Sequence, residues 1–195
     1  MYEYYYKCAS RERKEKCNRY RFYEDSVRCI MGEVLLKQAL LRIGTDITKY
    51  RIERGKYGKP YLHPLAKDGK KLYFNISHSG KWVFLILADR EVGIDVEEIQ
   101  EKGVAVAEHF FTGHECRYIL KSDRPENTFT RLWTIKEAYI KFLGMGLYKE
   151  LDSFTVSVNG ENITITDQGE RQDISIYSYG LDGYYVTYIL GKKYH

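Results

Sequence analysis

Apolar positions recur at Val27, Ile30, Met31, Val34 and Leu35, the three-and-four spacing of a single helix face, and predict a long helix over residues 24–43. Upstream, residues 11–21 form a basic helical stretch, while the tyrosine-rich run 2–6 reads as a strand. Apolar or alternating runs at 72–76, 82–88 and 92–97 are separated by Ser-His-Ser-Gly (77–80) and Asp-Arg-Glu (89–91), which predicts an antiparallel meander. Helical signals then return. Thr112-Gly-His-Glu115 has the spacing of a capping box and opens a helix toward Lys121, and residues 128–143 keep helical spacing until Gly144-Met-Gly146 stops them. Strand-like runs follow at 153–158, 163–166, 174–179 and 184–190, with turns at Asn159-Gly160 and Asp182-Gly183. The order helix, then strands, thus occurs twice, with a break near 99–103. The chain reads as an α+β fold of two similar α+β halves packed together, 1–100 and 101–195, each with an antiparallel sheet and a long helix.

Composition narrows this picture without adding a function. A chain of 195 residues with 44% hydrophobic and 15% aromatic side chains can bury a sizeable core, which excludes disorder and leaves room for no third domain. The net charge of +4 suits an anionic partner but is too small to single out nucleic acid. The N-terminal residues lack the apolar run of a signal peptide, and the longest strongly apolar stretch, 83–88, is too short to cross a bilayer. These features read as a cytoplasmic protein with no membrane partner. The four cysteines form no CxxC pair and accompany no histidine cluster, so reduced thiols are expected in place of a zinc site or a disulfide framework.

Three segments carry chemistry. In Val92-Gly-Ile-Asp-Val-Glu97 the two-residue period of a strand puts Gly93, Asp95 and Glu97 on one face, so two carboxylates stand beside a residue with no side chain. A hard divalent cation such as Mg²⁺ would relieve their repulsion; a solvated strand edge is the plain alternative. In the helix around residues 132–141, Trp133, Glu137 and Lys141 share one stripe, either as an ordinary surface pair or, if Trp133 buries that stripe, as part of a phosphate-metal site. Ser77, His78 and Ser79 arrive at a Gly-ended turn and make an anion cradle. A nucleophilic serine is not supported there, because adjacent strand residues point apart and no G-x-S-x-G elbow is present. Arg13, Lys14, Lys16, Arg19, Arg21 and Arg28, interleaved with Tyr20, Phe22 and Tyr23, could serve a single-stranded nucleic-acid-binding module. Glu12, Glu15, Glu24 and Asp25 dilute that charge and favour a few contacts to a small anion. Tyr57-Gly-Lys-Pro60 is a tight turn that presents Lys59.

Taken together, YGKP, FNISHSG, VGIDVE and RLWTIKEAYIK, in this order, resemble the 4′-phosphopantetheinyl transferases of the surfactin-synthetase-activating type, over residues from about Arg13 to Leu147. The resemblance implies a monomeric pseudo-dimer that moves phosphopantetheine from coenzyme A to a serine of an acyl or peptidyl carrier protein, with no nucleic-acid partner. It also implies Asp95, Glu97 and Glu137 as Mg²⁺ ligands, Glu137 as the base for the carrier serine, and Lys141 as the pyrophosphate contact. Arg13, Lys16, Arg28 and His78 match positions that hold the 3′-phosphate and neighbouring groups of coenzyme A, with Lys59, Pro60 and Ser77 beside the adenine end. Cys29 departs from a threonine found in some relatives, and a thiol is a poor phosphate donor. Residues 109–120 match the region that meets the carrier helix, where Phe110 or Phe111 is either an apolar anchor or core. A metal-dependent phosphodiesterase would use the same carboxylates, but Ile99 stands where many nucleases carry a lysine.

Overall fold

The structure, a computed structural model, describes residues 2–193 apart from the side chain of Lys102. Three helices open the chain: α1 (Tyr2–Cys8), α2 (Arg11–Cys17) and the long α3 (Tyr23–Arg42). Strands β1 (Tyr50–Arg54), β2 (Pro60–Pro64), β3 (Leu72–Ser79) and β4 (Trp82–Ala88) follow and form one antiparallel sheet in that order. After β5 (Val92–Glu98) come α4 (Ala107–Phe110), α5 (Gly113–Leu120) and the second long helix, α6 (Pro125–Leu143). The remainder is β6 (Phe154–Asn159), β7 (Asn162–Asp167), β8 (Glu170–Arg171), β9 (Ser175–Leu181) and β10 (Tyr184–Leu190). They make a β6-β7-β8 sheet and a β5-β10-β9 sheet, all neighbours antiparallel. Each half therefore carries a long helix and antiparallel strands.

Two local expectations are overturned. The tyrosine run is helix α1, not a strand: Tyr2, Tyr5 and Tyr6 fall on one helical face and cover Cys17, Cys29 and Ile30. Aromatic β-propensity loses to this packing, because propensity is a weak prior against tertiary contact. The meander also ends at β4. β5 pairs with β10, placing Asp95 opposite Thr187 and Glu97 opposite Tyr185. The reason lies in its burial, for both faces of Val92 to Val96 are covered and a hairpin partner alone could not cover them. Helix α6 lies on one face; Phe84 and Ile86 of β4 meet Ile94 and Val96 on the other. The YGKP turn, read only as a turn, joins strands β1 and β2.

Gly93 explains how close α6 comes. A Cβ built there would lie 2.1 Å from the Ala138 carbonyl oxygen and 2.5 Å from the Phe142 amide nitrogen, both rigid helix backbone. The helix ends at Gly144 in the left-handed region, φ 70°, as its stop signal predicts.

The seam between the first sheet and the β5-β10-β9 sheet is made by β3 and β5, which lie side by side without pairing as strands, so β5, within the first half by the sequence reading, joins the strands of the second. Polar residues at every second position of β3 take the place of ladder bonds. Asn75 Oδ1 accepts from the Ile94 amide (2.8 Å), Ser77 Oγ from Val96 (3.4 Å) and Ser79 Oγ from Glu98 (3.3 Å). The alternation in FNISHS thus satisfies the edge amides of β5, which would otherwise be stranded in a buried seam.

Candidate active site

Two serines of the seam carry a second duty. Ser77 Oγ donates to Asp95 Oδ1 at 2.8 Å, and Ser79 Oγ to Glu97 Oε2 at 3.0 Å. Because α6 is held against β5 at Gly93, Lys141 reaches the same carboxylate. Its Nζ lies 2.5 Å from Asp95 Oδ1 and 3.1 Å from Ser77 Oγ. Asp95 is 1% exposed, and its other oxygen, Oδ2, is buried with no hydrogen-bond partner.

The electrostatics set three acids against one another. Burial pushes the Asp95 carboxyl above its usual range while Lys141 and Ser77 pull it down. Glu97 is raised by burial and then by the charge of Asp95, and Glu137 by the same two causes. Three carboxylates from β5 and α6 therefore feel one another across the seam, which disposes of the solvated-edge reading. Among the described residues, no set of three or more His, Cys, Asp or Glu side chains stands close enough to hold a metal ion. Lys141 occupies one oxygen of Asp95. The donor chemistry nevertheless fits a hard divalent cation, with all-oxygen groups, an unpartnered buried Asp95 Oδ2, and two half-buried carboxyls held above their ordinary range.

Arg28 stands at the end of the seam, and the other basic residues singled out by the sequence are spread around it. Arg28 Nη1 donates to the Gly80 carbonyl at 2.8 Å, tying α3 to the Ser-His-Ser turn, and Nη2 pairs with Asp25 at 2.6 Å. His78, on the opposite side of β3 from Ser77 and Ser79, has its pKa lowered by burial and then by the nearby charges of Arg28 and Lys141. Arg13 sits against Cys29, its Nη1 3.6 Å from Sγ, and against Glu33. Lys16 lies exposed on α2. The basic N-terminal residues are thus partly engaged with carboxylates and do not form a free stripe; Arg11 and Arg54 also pair with Glu15 and Glu12. Lys59 is committed to the fold: its ammonium donates to the carbonyls of Val92 (2.7 Å) and Phe142 (2.8 Å) and to Glu91 (3.1 Å). It pins the YGKP turn, with Pro60, to the start of β5 and the end of α6. Phe111 is core at 4% exposure, whereas Phe110 is 39% exposed and packs edge-on against Trp133.

Lys136, not singled out by the residue spacing, is fully buried and pairs with Glu115 at 2.8 Å. Glu115 also closes the capping box with Thr112 and accepts from the Val156 amide at 2.7 Å. Asn75 likewise emerges only from the seam, as does the bond from Ser79 to Glu97, and the two-residue polar alternation of β3 was the signal that could have found them.

Asp95, buried on β5, thus lies with the half-buried Glu97 and Glu137 and with Lys141 of α6, while Arg28 of α3 ties down the neighbouring turn. Residues 91–189 match the family model of the 4′-phosphopantetheinyl transferase superfamily, and residues 1–90 match that of the 4′-phosphopantetheinyl transferase N-terminal region. The 4′-phosphopantetheinyl transferase gsp of Aneurinibacillus migulanus is 34% identical over 87% of this chain and 70% of its own length. The enzyme psf-1 of Bacillus pumilus is 32% identical over 95% of this chain and 79% of its own. A solved holo-[acyl-carrier-protein] synthase from Thermotoga maritima is 22% identical and overlaps 53% of this chain and 64% of its own, at a TM-score of 0.46. The chain belongs to the 4′-phosphopantetheinyl transferase superfamily. No described helix is long and apolar enough to cross a membrane.

Proposed function

We propose that the chain transfers 4′-phosphopantetheine from coenzyme A to a serine hydroxyl of an acyl or peptidyl carrier protein in a Mg²⁺-dependent reaction. The observation that carries this reading is the buried Asp95, which has one oxygen unpartnered and Lys141 on the other, while its charge raises the pKa of both Glu97 and Glu137.

Asp95, Glu97 and Glu137 would hold the metal ion, which when bound supplies charge neutralisation and Lewis-acid polarisation at the pyrophosphate. Lys141 orients a pyrophosphate oxygen, and Arg28, His78, Arg13 and Lys16 hold the 3′-phosphate end through charge-assisted contacts. Lys59 keeps the neighbouring turn, with Pro60, in place beside the adenine end, and Ser77 holds Asp95 and Lys141 in position. The serine oxygen attacks the phosphorus that bears the pantetheine arm. The phosphorus–oxygen bond to the nucleotide breaks, and adenosine 3′,5′-bisphosphate leaves with the electron pair. Glu137, its pKa raised above the usual carboxylate value by burial and by Asp95, takes the serine proton directly or through water. The carrier helix docks on the surface after the first half, where Phe110, Tyr118 and Leu120 are exposed at 39%, 40% and 67%.

The test is incubation with apo carrier proteins, coenzyme A and Mg²⁺, with the carrier weighed by mass spectrometry. One added phosphopantetheine per carrier is expected. Unmodified carrier across fatty-acid, polyketide and peptide types overturns the reading.

A further inference from the structure

The two acids of β5 are fastened, whereas the acid of α6 is not. Ser77 and Ser79 alternate along β3, and each hydroxyl is engaged as donor and as acceptor. Ser77 Oγ accepts from the Val96 amide and from Lys141 Nζ, so its single hydrogen is left for Asp95 Oδ1 at 2.8 Å. Ser79 Oγ accepts from the Glu98 amide at 3.3 Å, and its hydrogen goes to Glu97 Oε2 at 3.0 Å. Among the described residues, Glu137 takes no hydrogen bond on its carboxylate, and Glu97 takes none on Oε1. Each β5 acid therefore has one oxygen committed to the serine beside it and one unshared, Asp95 Oδ2 and Glu97 Oε1.

We propose that Ser79 is a positioning residue that makes Glu97 an end-on ligand and so sets which divalent cation the site prefers. The inference rests on the reading of Asp95, Glu97 and Glu137 as the metal ligands. A small ion such as Mg²⁺ demands near-ideal octahedral geometry and binds few carboxylates, whereas Ca²⁺ gathers a larger, more variable shell and takes carboxylates through one oxygen or both. A carboxylate whose Oε2 is held by a hydroxyl offers a single oxygen in a fixed direction, which suits the first ion and denies the second its chelate. Ser77 treats Asp95 in the same way, but it also contacts Lys141, so its loss would disturb two charged groups. Ser79 Oγ bonds to no charged side chain but Glu97 among the described residues, which isolates the effect. Its other partner is the amide of the exposed Glu98, where water replaces the hydroxyl once it is removed.

Mg²⁺ and Ca²⁺ are titrated separately into the metal-free full-length chain by calorimetry, with and without coenzyme A, and carrier modification is followed against Mg²⁺ concentration. Ser79→Ala should weaken Mg²⁺ binding roughly tenfold, the scale of effect when a hydrogen-bonded partner of a metal ligand is removed. Ca²⁺ should weaken less or tighten, so the ratio of the two affinities moves toward Ca²⁺. Ser79→Thr keeps the hydroxyl and should keep the wild-type ratio. In the transfer assay, Ser79→Ala should raise the Mg²⁺ concentration needed for half the maximal rate, and saturating Mg²⁺ should restore most of that rate. A serine with a merely structural role would instead lower the melting temperature and weaken both ions alike. An affinity ratio unchanged in Ser79→Ala, or shifted equally in Ser79→Thr, overturns the proposal while the metal site stands. A wild-type chain that takes up neither ion removes the metal reading, and this proposal with it.

Discussion

Helix α6 carries two lysines little more than one turn apart, and each meets a carboxylate, yet the two pairs are built to opposite ends. Lys136 and Glu115 are both 0% exposed, and every capacity is used: Lys136 also donates to the Leu151 and Phe154 carbonyls, each at 2.7 Å, while Glu115 takes the Val156 amide and the Thr112 cap. Lys141 is 29% exposed, and its partner Asp95 keeps a buried oxygen with nothing bound to it. A saturated pair welds α5, α6 and β6 together; an unsaturated one, open to solvent on its lysine side, has an affinity left to exert. The separation between structural and working charge is therefore made by unused hydrogen-bonding capacity, not by burial alone.

The comparison can be broken at several points. The largest effect is expected at the closed pair: Lys136→Met leaves Glu115 charged and uncompensated and should cost about 3–5 kcal/mol of stability in denaturant unfolding. The double change with Glu115→Leu should recover most of it. A single-variant loss below about 1 kcal/mol would show that this pair is no weld. At the open pair, Asp95→Asn should lower phosphopantetheine transfer by roughly 10²–10³-fold with the fold intact, measured by single-turnover carrier modification beside a melting curve. Transfer at the wild-type rate would remove Asp95 from the chemistry.

A smaller effect is expected from metal alone. Mg²⁺ at about 100 times its dissociation constant should stabilise the wild type by about 2.7 kcal/mol, and should stabilise Asp95→Asn far less. Equal stabilisation of both would place the ion elsewhere. The smallest effect is a slope. Glu137 titrates higher in the folded chain than in the unfolded one, where it titrates near 4.3, so between those values the folded state binds the extra proton. Metal-free stability should accordingly fall as pH rises through that window, and Glu137→Gln should flatten the fall. An unchanged slope in that variant would mean that Glu137 feels neither burial nor Asp95.

Legibility followed distance along the chain. The Thr112–Glu115 capping box and the Gly144 stop of α6 involve residues within a turn of each other, and both were readable from spacing. The long helices and strands β3 to β7, β9 and β10 followed from periodicity, whereas β1, β2 and β8 were not read as strands. The tyrosine run was misread because its outcome depends on Cys17 and Ile30, which the run itself does not contain. The partner of β5 was misread for the same reason: β10 lies at the far end of the chain, and turn chemistry at 89–91 says nothing about it. Within the site, Asp95, Glu97, Glu137 and Lys141 stood out as residue types in motifs. The orphaned oxygen of Asp95 and the spent ammonium of Lys59 did not.

The amino-acid order by itself determined which segments coil or extend, which residues carry charge on which face, and which family the motifs resemble, since helix and strand periods and turn stereochemistry act over a few residues. Only tertiary structure decided that β5 crosses to the second sheet, that Gly93 lets α6 settle onto it, and that one lysine of α6 is sealed while the next stays open. Those outcomes depend on burial and on partners remote in the chain, and the free energy of a charge is set by what surrounds it.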